Sequence, residues 1–145
     1  MAPASSELFS TVSKENYLGF WANQALDSRK VVDFLGFSKP DVAKIADVSV
    51  TSVRYDLKIP QEVMERLVEI ANICELVAQY FAGSPQKTAL WFKTRNALLG
   101  NITPRDMLRY GRYERLRRFV TEALKENIAS PERDGYAPQT QATAS

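Results

Sequence analysis

The chain contains no histidine. That absence removes Ser-His-Asp and Cys-His catalysis together with most zinc sites, because each needs imidazole as base or ligand. Cysteine is almost missing too. Cys74 stands alone and can close no internal disulfide; set among Ile70, Ile73, Val77 and Ala78, it reads as a small hydrophobe in a core. No apolar run approaches the roughly 20 residues that cross a membrane. The opening MAPASSELFS lacks the basic stretch followed by an apolar one that marks a secretion signal. Charge of one sign is scarce as well: nineteen basic against seventeen acidic residues leave +2, too little to demand a nucleic-acid partner. The expectation is a cytoplasmic protein that is not an enzyme, with no catalytic residues, no metal, no cofactor and no membrane partner.

What is present is ordinary globular material, 45% hydrophobic and 25% charged. A chain of 145 residues suits one domain, or two small modules sharing one core. Apolar residues recur at spacings of three and four while alternation is scarce, so the fold class expected is all-α. Residues 1–14 are small and polar, and the end of the chain, SPERDGYAPQTQATAS, has no core pattern; residues 1–14 and 129–145 are expected to be a flexible N-terminus and a flexible tail.

Between them, Glu15 to Ala25 suggests a first helix carrying Tyr17, Leu18, Phe20 and Trp21. Asp27 or Ser28 can cap a short helix with Val31, Val32 and Leu35 inward and Gly36 as its stop. Ser38 and Pro40 start another, with Val42, Ala43, Ile45 and Ala46 inside, ending near Asp47. Ser49 is expected to cap a third, Val50 to about Tyr55. Three short helices with a tight turn before the third are what a helix-turn-helix requires, with Val48 and Val53 packing beneath. The third helix would then present Ser49, Thr51, Ser52 and Arg54 to phosphates and base edges of DNA. The same pattern also fits a three-helix scaffold without DNA affinity, since Ser28 to Lys58 carries six basic against four acidic residues and its field is only weakly positive.

Ile59-Pro60 separates this unit from the longest predicted helix, Gln61 to about Ala82. Its apolar residues cover more than the one stripe of a surface helix, which fits either burial on several sides within one chain or a homodimer interface. Gly83 ends it, and Ser84-Pro85 starts a helix through Trp91 and Phe92. Thr103 is an N-cap with Pro104 at the first helical position, Gly111 closes that turn, and a last amphipathic helix carries Leu116, Phe119, Val120, Ala123 and Leu124. From Arg105 to Arg118, six arginines (Arg105, Arg109, Arg112, Arg115, Arg117, Arg118) face only Asp106 and Glu114. Such a stripe suits an acidic partner or phosphates, or is simply a solvated face.

Trp91-Phe92, Arg95-Asn96, Leu98-Leu99-Gly100, Thr103-Pro104, Met107-Leu108, Gly111 and the closing amphipathic helix together resemble the toxin-binding domain of the Xre/MbcA/ParS family of antitoxins. Trp91 reads there as a core anchor and Asn96 as a cap or turn former. The chain departs from the family pattern at Asn101, where a second glycine is common. The resemblance implies a toxin-binding domain over residues 60–128, preceded by an Xre-like helix-turn-helix unit over 15–59. It implies a partner as well: a RES-domain toxin encoded alongside, which consumes NAD by degrading it or by transferring ADP-ribose to a protein. Neutralisation would be steric, by covering the toxin's NAD cleft; the apolar cover of the long helix adds the expectation of a homodimer within that complex, with burial inside one chain as the alternative. Candidate toxin contacts are Arg105, Arg109, Arg112 and Arg115 of the stripe with Arg133 and Tyr136 of the tail. Antitoxins of this family often repress their own operon, so operator DNA is a second expected partner.

Two other readings compete. A stand-alone transcription regulator would bind DNA in a salt-dependent way through Arg54 and have no toxin partner. An enzyme would have to use carboxylates such as Glu65, Glu69 or Glu75, which lie near helical spacing but carry no cleft signal.

Overall fold

A computed structural model describes residues 16–129; Arg133 and Tyr136, the N-terminal 1–14 and most of the tail expectation lie outside them. The described chain is mostly helical, in agreement with the all-α expectation, with one small two-stranded sheet.

That sheet replaces the helix expected over Glu15–Ala25. Strands β1 (Trp21–Ala22) and β2 (Ala25–Leu26) pair antiparallel, Trp21 opposite Leu26. Asn23 and Gln24 join them with φ of 53° and 65°, and a two-residue loop with both φ positive matches the twist of a hairpin. The Asn16 side chain brackets Trp21, accepting from its N–H at 3.2 Å and donating to its carbonyl at 2.8 Å. The Tyr17 and Leu18 amides, which a helix would commit to its own ladder, donate instead to the Glu75 carboxylate at 3.0 Å each. The aromatic content still serves packing: Phe20 is buried and meets Phe34 edge to face at 5.5 Å.

Helix α1 (Ser28–Leu35) is capped by Asp27 and stopped by Gly36 at φ 68°. Helix α2 (Lys39–Ala46) opens with a reciprocal box: Ser38 Oγ accepts from Asp41 N, and the Asp41 carboxylate accepts from Ser38 N. The third helix expected from Val50 to Tyr55 is reduced to one 3-10 turn, Val50–Ser52. Ser49 makes no cap to the backbone there; its hydroxyl is shared with those of Thr51 and Ser52 at 3.2 and 2.7 Å. Val50, Thr51 and Val53 are branched residues with low helix propensity, and Val53 is already extended. Val53 is nonetheless buried and Val48 packs against the core, as expected of the unit's underside.

Helix α3 (Gln61–Tyr80) is the axis of the molecule. Helices α1, α2, α4 (Pro85–Phe92) and α6 (Tyr113–Ala129) all pack on it, burying Val63, Leu67, Ile70, Ile73, Cys74 and Val77 on different sides. Most of its apolar cover is buried inside one chain, with Met64, Val68 and Leu76 partly exposed. Burial pushes the Cys74 thiol well up, leaving it protonated among hydrophobes. The helix stops before Gly83, where a Cβ would stand 2.7 Å from the Tyr17 ring, so the hairpin segment and the α3 end are matched in shape. Short α5 (Pro104–Arg109) then crosses to α2, and α6 lies along α3. One continuous core runs from Phe20 to Val120.

Candidate interaction surface

Between Trp91 and Gly111, the residues Asn96, Gly100, Thr103 and Pro104 each meet a local backbone demand. Trp91 and Phe92 end α4 buried, their rings edge to face at 5.2 Å. The chain then turns around Asn96, which is 1% exposed. Its side-chain oxygen accepts from Leu98 N at 2.9 Å, its backbone N–H donates to Ile102 O at 3.0 Å, and its backbone carbonyl accepts from Asn101 N at 2.9 Å. The loop so closed contains a 3-10 turn, Ala97–Leu99, ended by Gly100 at φ 85°. Asn101 follows at φ 64°, so the position where the family pattern favours a second glycine holds the residue that best tolerates the left-handed region after glycine. Thr103 Oγ1 accepts from Asp106 N at 3.0 Å and Pro104 opens α5. Leu90 and Leu98 remain large exposed apolar side chains. The buried Trp91 Nε1 and Asn96 Nδ2 donors have no acceptor among the described residues, and nothing in the structure explains them.

The arginine stripe divides into two populations. Arg105 turns inward: its Nε donates to Leu35 O, its Nη2 donates to Gly36 O at 2.6 Å, and its guanidinium lies 5.4 Å over the Phe37 ring. It thus satisfies carbonyls left open at the end of α1. Arg109 donates to Asp41 at 3.1 Å and to Asp106 at 3.0 Å. Burial pushes the Asp41 carboxyl up, but hydrogen bonds from the Ser38 backbone and hydroxyl, with the Arg109 guanidinium, more than offset it and hold the carboxyl below its usual range. Both arginines therefore fasten α5 to the α1–α2 pair. Arg112 and Arg115 are exposed, as are Arg117 and Arg118. None of these four has an ion-pair partner among the described residues.

The candidate DNA contacts are close together but occupied. Ser49, Thr51 and Ser52 hydrogen-bond one another, and Arg54 makes a two-pronged pair with Asp56 at 2.9 and 2.6 Å on the surface. The Arg54 hydrogen bonds, with a further bond from Lys58 N, hold the Asp56 carboxyl low. Sequence reasoning passed over Asp56, although an acid two residues from Arg54 is a visible signal of pairing. It also passed over the junction at Asp41, which the Ser38/Asp41 spacing announces as a capping box.

Each of the three carboxylates of the enzyme reading has its own partner. Glu65 accepts from Gln61 at 2.8 Å, Glu69 pairs with Arg66, and Glu75 is buried against the Tyr17 and Leu18 amides. No group of three or more Asp, Glu or Cys side chains able to hold a metal occurs among the described residues. One apolar cleft between Val77, Phe81, Trp91 and Phe119 has a volume of about 10 Å³, room for a single water and far too small for a nucleotide. Among the described residues no helix is long and apolar enough to cross a membrane. No protein-family model matches the chain, nor does any curated protein or solved structure.

Proposed function

We propose that this chain is the antitoxin of a toxin–antitoxin pair, a binding protein without chemistry of its own that neutralises a RES-domain, NAD-consuming toxin by covering its NAD cleft. The observation that carries the reading is the closed loop built on Asn96. The residues through which the sequence resembles the antitoxin domain (Trp91, Asn96, Gly100, Thr103, Pro104) serve as anchor, turn former, left-handed stop, cap and first helical residue of one unit. A chance likeness of composition would not require each of them in its place. With Arg105 and Arg109 used inside the fold, the surface left for a partner includes Arg112 and Arg115 with exposed Leu90 and Leu98. Co-expression with the adjacent gene tests the reading. The neighbour should arrest growth alone, be harmless with this chain and co-purify with it; a neighbour that is neither toxic nor bound contradicts it.

The second reading, a helix-turn-helix regulator acting alone or an antitoxin that also represses its operon, draws on the succession α1, α2 and the Val50–Ser52 turn with its three hydroxyls. The Arg54–Asp56 pair weighs against it, because a phosphate would have to displace a carboxylate already held by both prongs. Burial within one chain accounts for Val63, Leu67, Ile70, Ile73 and Val77 of α3, while Met64, Val68 and Leu76 stay partly exposed and are the α3 side chains left for the proposed homodimer.

A further inference from the structure

Helix α6 begins against its own electrostatics. The N-terminal end of a helix carries partial positive charge and favours acids, yet Arg112 immediately precedes this one, Arg115, Arg117 and Arg118 occupy its first two turns, and Glu114 is its only first-turn acid. Lys87 in the first turn of α4 likewise meets no carboxylate among the described residues, whereas the basic residues that open α1 are held internally. In the first turn of α1, Arg29 lies over the Tyr55 ring and Lys30 donates to Gly19 O; Arg54, Arg66, Arg105 and Arg109 all meet carboxylates. The arginines of α6 are exposed and meet none among the described residues. A local rule broken without internal compensation is expected at a functional surface.

The spacing defines that surface. Arg115 and Arg118 are three residues apart, so they lie about 60° from one another around α6 and about 4.5 Å apart along it, and with Arg112 just before the helix they form a row that slants from the flank of buried Leu116 toward the face opposite it. Arg117 stands beside it in a shallow depression shared with Glu114, Arg118, Thr121 and Glu122. Those glutamates lie one turn to either side of Arg118. They would repel a phosphodiester backbone but match a protein surface of mixed charge, and a planar guanidinium takes a carboxylate two-pronged.

We propose that the Arg112–Arg115–Arg118 row is the docking surface for a carboxylate-bearing face of a folded protein partner. It rests on the antitoxin reading and deepens it, naming the chemistry the toxin must present to this helix. Arg105 and Arg109 hold internal bonds and lie outside the row. The test compares the full chain, the row variant Arg112→Glu/Arg115→Glu/Arg118→Glu, and a control of equal charge change, Lys39→Glu/Lys58→Glu/Lys93→Glu. Each is titrated with the purified product of the adjacent gene at low and high salt, and with a short labelled DNA duplex. Reversal places acids where the helix end favours them, so the row variant keeps its fold, which far-ultraviolet circular dichroism checks. The expected result is binding weakened about tenfold or more by the row variant at low salt, by less at high salt, and unchanged by the lysine control. Equal binding by the full chain and the row variant overturns the docking surface and leaves the antitoxin reading standing. Loss of duplex binding alone overturns it in favour of phosphate contact. A neighbour that the full chain does not bind at all removes the antitoxin reading and this surface with it.

Discussion

Asp41 joins three structural tasks in one carboxylate: it closes the Ser38 capping box, begins α2 and receives Arg109 from α5. Its folded carboxyl is held below the ordinary value of 3.8, so it adds stability above that value and loses it as pH falls through the lower folded value. Thermal unfolding followed below about pH 4 should show a falling midpoint, and Asp41→Asn should flatten that part of the profile. Asp56, also held low, has the same sign and keeps some slope in the variant. The two kinds of arginine separate in the same assay. Arg105→Ala strands the Leu35 and Gly36 carbonyls and should cost about 1–3 kcal/mol, whereas exposed Arg115→Ala should stay within about 0.5 kcal/mol. Spacing and charge count could not separate these arginines, because whether a guanidinium points to solvent depends on carbonyls roughly 70 residues away in sequence.

At the scale of elements, legibility followed the locality of the cause. Caps at Asp27, Ser38, Ser84 and Thr103 and the stop at Gly36 depend on neighbours within four residues and were readable directly. The hairpin at 21–26 was missed because its cause is partly distant: the buried Glu75 carboxylate on α3 takes the amides that a helix would have used. Only Asn23 in the turn offered a local sign. The third short helix failed for a local reason, a cluster of branched and hydroxyl side chains that periodicity alone does not weigh. The Asn96 loop gives a sharp test of backbone demand. A Cβ at Gly100 meets open space, so Gly100→Ala isolates the cost of its φ of 85° and should destabilise by about 1–2 kcal/mol. Asn101→Gly, at a position with φ 64° that glycine adopts freely, should change stability by less than about 0.5 kcal/mol in a denaturant titration.

At the scale of the molecule, the all-α class and a shared core were legible, but the way the two segments lean on one another was not. Helix α3 buries its sides against α1 and α2 as well as α4 and α6, and Arg105 and Arg109 tie α5 to the same pair. Residues 60–145 alone should therefore expose the α1- and α2-facing sides of α3 and lose the cooperative melt of the full chain; a sharp melt from that fragment would contradict this account of the core. The proposed partner rests on the resemblance carried by residues 91–111 alone, since no fold class specifies function.

The most direct measurement of the central claim is NAD consumption by the purified product of the adjacent gene, titrated with this chain. The account predicts consumption that falls to background once the chain is in stoichiometric excess. A neighbour that consumes no NAD, or one whose consumption is unchanged at saturating chain, would contradict it.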